Sequence, residues 1–189
     1  GAVRLVGTCA VEFDAANLVW SKNWTFDDDA DITFTSPFSP ITLTFKDDLV
    51  LPRKMTVTKD AYLTVDANVQ LTGRDQEPVG LKIENGGKFT LFKQDSVLAQ
   101  PVDLDIAEGG LLTLGNRNSI VAHTLTIGGE ALPTRRIYTQ TDAEVQEYLS
   151  GDVNDGRIIV PYTWTGAAGN NLWDDADNWE DRARPNDAW

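Results

Sequence analysis

The chain has 189 residues, a net charge of −13, and 41% hydrophobic and 24% charged residues, figures of an ordinary folded protein that exclude global disorder. That acidity argues against nucleic acid or an anionic membrane as partner, since both need a basic patch, and no apolar run reaches the roughly 18–20 residues of a membrane-crossing helix. With Cys9 the only cysteine and His123 the only histidine, an intrachain disulfide is ruled out and zinc clusters or histidine triads lack material.

Residues 1–40 are the least regular part. Val3 to Val11 supply one or two strands, followed by the tryptophan pair Trp20 and Trp24 and the acidic run from Asp27 to Asp31. An open stack of strands needs its end covered, so this segment is expected to be an N-terminal β cap or the end of a preceding module. From Ile41 the alternation becomes strict: Ile41-Thr42-Leu43-Thr44-Phe45, then Leu49-Val50-Leu51. Met55 to Val65 is a loose copy of a motif that then appears twice in full.

Those two copies are Leu81-Lys82-Ile83-Glu84-Asn85-Gly86-Gly87-Lys88-Phe89-Thr90-Leu91 with Val97, and Leu104-Asp105-Ile106-Ala107-Glu108-Gly109-Gly110-Leu111-Leu112-Thr113-Leu114 with Ile120. Each position recurs 23 residues later (81 to 104, 89 to 112, 97 to 120). A fixed period of alternating strands broken by Gly-Gly corners signals stacked coils. The spacing predicts an all-β fold, a right-handed parallel β-solenoid (β-helix) of about five irregular coils, with Ile83 over Ile106 and Phe89 over Leu112 inside. In the loose copy Asp60-Ala61 takes the Gly-Gly place, and the interval from Leu63 to Phe89 is 26 residues because a polar loop at 73–78 is inserted.

Another rung starts at Thr124-Leu125-Thr126-Ile127 and turns at Gly128-Gly129. Thr141-Asp142-Ala143-Glu144 has the form of a capping box, which predicts a short helix near 142–149 before the closing strand Arg157-Ile158-Ile159-Val160. The solenoid thus spans 41–161, and 162–189 forms a Trp-rich C-terminal segment that holds four of the six tryptophans.

Trp164-Thr165-Gly166 and Trp173-Asp174-Asp175-Ala176-Asp177-Asn178-Trp179 resemble the opening motif of autotransporter-associated β-strand repeat proteins. These are large bacterial surface passenger β-helix proteins. The Gly109-Gly110-Leu111-Leu112-Thr113-Leu114 coil and the unit Leu132-Pro133, Tyr138, Gly156, Ile158-Ile159-Val160 are also similar to theirs. The resemblance covers about residues 41–189, and Arg135-Arg136 departs from it where the family has a small Gly-containing turn. It implies an extracellular or bacterial cell-surface location and a C-terminal segment that starts a following module. It brings no catalytic residues.

Three chemistries compete with a purely structural reading. Asp27, Asp29 and Asp31, and likewise Asp174 and Asp175, place oxygens at short intervals as a calcium ion requires, though without an EF-hand pattern; solvated acidic turns and capping aspartates are the simpler account. Trp173 and Trp179 beside Asp177 and Asn178 have the composition of a glycan site, while large aromatics are more often packed. Lys82 and Asp105, on neighbouring rungs of one outward face, are the nearest thing to lyase or hydrolase chemistry, but also make an ordinary surface ion pair. The expected role is a non-catalytic rigid stalk or passenger segment of a secreted surface protein, with an adhesive function as an extension. A carbohydrate-binding module and a solenoid polysaccharide lyase or hydrolase are the alternatives. Expected partners are a host or environmental glycan or neighbouring modules of the same protein; no cofactor is expected, calcium being the one candidate.

Overall fold

The structure, a computed structural model, describes residues 3–12, 18–20, 24–27, 29–37, 40–46, 49–66, 69–71, 78–92, 97–115, 117–132, 136–151, 156–162 and 164–179. Alternation becomes strand wherever apolar residues recur at every second position, because one face can then be buried and the other solvated. Ile41–Phe45 is typical: Ile41, Leu43 and Phe45 are buried and the threonines between them half-exposed.

The strands follow one another in a repeating circuit of three faces. After β1 (Val3–Leu5) come β2 (Thr8–Glu12), β3 (Leu18–Trp20) and β4 (Trp24–Phe26). The next circuits are β5 (Asp31–Thr35), β6 (Ile41–Phe45) and β7 (Leu49–Leu51), then β8 (Lys54–Val57), β9 (Ala61–Val65) and β10 (Val69–Leu71). β11 (Val79–Ile83) and β12 (Lys88–Leu91) lead into the long β13 (Val97–Ile106), which turns a corner and opens the following circuit with β14 (Leu111–Leu114) and β15 (Ser119–Ile127). β16 (Glu130–Ala131), β17 (Arg136–Tyr138), β18 (Leu149–Gly151) and β19 (Arg157–Val160) close the stack.

Equivalent strands pair in parallel to form a β-solenoid. One ladder is a 9-stranded sheet in the order β17-β19-β15-β13-β11-β8-β5-β2 with β16 attached to β15, and another is a 6-stranded sheet, β18-β14-β12-β9-β6-β3. Only β16 on β15 and β17 on β19 run antiparallel among the described strands. The interior is a set of vertical columns: Ile32, Met55, Leu81, Leu104 and Leu125 stack on one face, and Leu43, Leu63, Phe89, Leu112 and Leu149 on another. All are buried, each stabilising the fold by roughly 1.5–3 kcal/mol relative to exposure. Near the N-terminal end the interior is filled by aromatic rings, with Trp20 at 5.4 Å from Phe26, 6.2 Å from Phe34 and 5.3 Å from Phe45.

The Gly-Gly corners have two distinct reasons. Gly86 and Gly109 adopt φ of +76°, and Asp60 takes the matching place in the loose copy at φ 63°, a conformation Asp tolerates better than most residues. Gly87 and Gly110 are needed for space, since a Cβ would lie 2.5 Å from Val57 O and 2.7 Å from Ile83 O in the coil beneath.

The predicted register holds at Ile83 over Ile106 and Phe89 over Leu112, and the loose copy pairs Leu63 with Phe89. Near the N-terminus β2, β3 and β5 already join the ladders of the later strands, with β2 on β5, β5 on β8 and β3 on β6. Elsewhere the structure corrects the expectation. Val97 pairs with Ser119 rather than Ile120, and Leu98 takes Ile120, because the step from Leu114 to Ser119 is one residue shorter than the equivalent step from Leu91 to Val97. The helix near 142–149 is absent. Val145 N and Gln146 N donate to Asp142 O, and Tyr148 N and Leu149 N to Val145 O, closing separate turns before Leu149 enters the β18 ladder. So short a segment cannot offset the cost of helix nucleation, and burial of Val145 and Leu149 in the core holds it as turns. Most of the 73–78 loop, Pro133, Arg135 and 180–189 lie outside the described residues.

Candidate functional site

The outward faces of the coils carry ladders of like or complementary side chains. Thr44, Thr64, Thr90, Thr113 and Ser150 align on one face, and the Thr113 and Ser150 hydroxyls lie 2.7 Å apart in a hydrogen bond. On the other face Thr33, Thr56, Lys82, Asp105 and Thr126 align. Lys82 Nζ meets Asp105 Oδ2 at 3.6 Å with both side chains about two-fifths exposed (41% and 39%), an arrangement worth about 0–1 kcal/mol. Beside it, His123 Nδ1 lies 2.9 Å from Asp103 Oδ1, and Thr124 Oγ1 donates to the same oxygen at 2.7 Å. Sequence reasoning missed this group; the only signal was the shortened interval from Leu104 to Leu125, which places His123 at the corner of β15.

The aspartates of the two acidic runs are employed separately. Asp27 accepts from the Arg4 guanidinium at 2.6 Å. Asp31 begins β5, outward-facing, between Thr8 and Lys54 in the ladder, and Asp29 is exposed; Asp28 lies outside the described residues. Asp175 caps the 3-10 turn Ala176–Asn178, accepting from Asn170 Nδ2 at 2.5 Å and Asp177 N at 3.0 Å. The Asn170 amide, and then the Asp177 N–H, hold its carboxyl below the usual range. Asp174 is exposed. Among the described residues no three His, Cys, Asp or Glu side chains converge as metal ligands.

The most organised constellation outside the stack is aromatic. Trp164 and Trp179 form an antiparallel bridge, which brings the two ends of a loop together. Asn178, fully buried, holds that loop: its Nδ2 donates to Asn170 Oδ1 at 2.7 Å and Leu172 O at 2.9 Å, and its Oδ1 accepts from Ala168 N at 3.0 Å. Its backbone carbonyl accepts from Thr165 N at 2.7 Å and Gly166 N at 3.2 Å. Trp179, 5% exposed, donates Nε1–H to Trp173 O at 3.0 Å and stands at right angles to Trp164 (4.9 Å, 85°) and Trp173 (4.5 Å, 83°). Comparison with protein-family models, characterised proteins and solved structures finds no match for this chain.

Of the predicted glycan residues, then, Trp179 and Asn178 are buried and frame the loop. Trp173 is 54% exposed and Asp177 is exposed. The residue that sequence reasoning left out is Trp164, 40% exposed, whose ring stacks beside that of Trp173 at 6.2 Å and 17°. Its signal was present in the paired spacing of Trp164-Thr165-Gly166 and the second tryptophan motif.

Proposed function

We propose that the chain is a rigid, non-catalytic segment, a stalk or passenger portion, of a secreted bacterial surface protein. The observation that carries this reading is the unbroken vertical register of the interior columns from Ile32 to Leu125 and from Leu43 to Leu149. Each coil is tied to the next by a backbone ladder and dry side-chain contacts, the design that gives a repeat array its stiffness from nearest-neighbour interactions. The outward polar groups close on one another across rungs, Lys82 in an ion pair with Asp105 and the His123 ring in a hydrogen bond with Asp103, which suits a surface built for solubility. The similarity of the tryptophan motifs to bacterial passenger proteins supplies the cell-surface part of the reading, and neighbouring modules are its natural partners.

The test places the chain between a membrane anchor and an epitope on a bacterial surface and measures epitope height. Each parallel rung should add about 4.8 Å along the stack, so deleting one complete 23-residue coil should lower the epitope by one step without loss of folding. An epitope height unchanged by the deletion would sink the stalk reading.

A further inference from the structure

The aromatic loop at 164–179 lies outside the coil ladders, and the inference drawn from it does not depend on the stalk reading. We propose that the exposed faces of Trp164 and Trp173 form a binding platform for a neutral, β-linked polysaccharide chain. The axial C–H groups of a β-linked pyranose make a flat apolar face with slight positive charge, which complements the negative π-face of an indole.

Four observations favour this ligand. The platform is rigid before any ligand arrives: Trp179 braces both rings edge-to-face at 4.9 and 4.5 Å, and the Asn178 hydrogen bonds fix the loop beneath them. Binding therefore avoids most of the cost of ordering side chains. The patch is small. Trp164 at 40%, Trp173 at 54% and Leu172 at 59% exposure leave on the order of 300 Å² uncovered, given roughly 150–250 Å² per aromatic side chain. A stable protein partner would need about 800 Å², so the size suits a sugar chain better than another protein.

The rings also exclude a caged cation. At centroid separations of 4.5, 4.9 and 6.2 Å they fill the space between themselves, leaving no interior where a quaternary ammonium could sit within about 6 Å of several faces at once. Anionic glycans are disfavoured by the exposed carboxylates of Asp174 and Asp177 on the same loop and by the net charge of −13.

The experiment is isothermal titration of the whole chain with cellohexaose, chitohexaose and xylohexaose, alongside polygalacturonate and choline. Saturable binding to at least one neutral oligosaccharide is expected, weakened at least tenfold in Trp173→Ala and less in Trp173→Phe, with unchanged circular dichroism. Trp164→Ala provides an independent loss if Trp173→Ala disturbs the loop. The proposal is overturned if the unaltered chain binds none of the three, if it prefers polygalacturonate or choline, or if both alanine variants bind as tightly as the parent.

Discussion

Asn118 is buried without exposure, its side-chain Nδ2 donating to Leu91 O in the coil beneath at 2.7 Å while its backbone carbonyl accepts from Arg157 N at 3.1 Å. One residue thus ties three levels of the stack. Asn118→Leu keeps the volume but removes the donor to Leu91 O, and an unsatisfied buried acceptor costs about 1–3 kcal/mol; urea unfolding should show a lower midpoint. The glycines allow a sharper comparison. Gly110→Ala drives a Cβ to 2.7 Å from Ile83 O, backbone that cannot step aside, whereas a Cβ at Gly115 meets nothing within 4 Å. Gly110→Ala is expected to lose about 1–3 kcal/mol and Gly115→Ala to stay within about 0.5 kcal/mol of the parent. Equal stability of the two variants would contradict the close stacking of coils at that corner.

At the scale of single elements, one guanidinium ties the turns after β17 back to that strand. Arg136 reaches Glu144 Oε1 at 2.8 Å and Asp142 Oδ1 at 2.5 Å, and those two bonds, Glu144 first, raise its pKa further above its ordinary value. Burial opposes ionisation of Asp142, but the Thr139 N–H and hydroxyl and the Arg136 guanidinium outweigh it and hold the carboxyl below its ordinary range. A carboxyl depressed in the folded state stabilises it fully above its unfolded value, about 3.9 for Asp, and that contribution is lost as pH falls through the folded value. Thermal unfolding of the parent should therefore lose stability on acidification below about pH 4 more steeply than Asp142→Asn does, with the two curves converging at the acid end. The contribution is modest because the Arg136 side chain remains 44% exposed. These turns also mark where sequence reasoning stopped. Thr141 to Glu144 has a helix-start pattern, yet Asp142 caps Thr139 and Glu144 turns to Arg136. Local capping chemistry was legible; the tertiary partner that redirected it, on a strand eight residues away, was not. The coils with Gly86 and Gly109 were legible because their corners carry a conformational signature, while β2 to β5 were not, since their corners lack glycine pairs. Trp173 was legible as a candidate surface residue, but which neighbour would be buried beneath it depended on the bridge from Trp164 to Trp179.

For the whole molecule, stability accumulates coil by coil, and the central coils gain from neighbours on both sides. Ile106 lies mid-column between Ile83 and Ile127, so Ile106→Ala is expected to cost about 2–5 kcal/mol. Cys9 packs only partly against the core in β2, at the end of its ladder, and Cys9→Ala should cost much less. Hydrogen exchange should show the same gradient, slowest in β11 to β14 and faster in β2 and β3; uniform protection would mean that the stack opens only as a whole. At the opposite end the chain lays β17 backwards against β19, Arg136 beside Val160 and Tyr138 beside Ile158. A strand that joined this edge in the direction of the regular coils would meet β17 antiparallel, with hydrogen bonds in alternating close and wide pairs instead of the even spacing of the parallel ladder. The parallel run from β2 to β19 in this sheet thus ends on a strand of opposite direction.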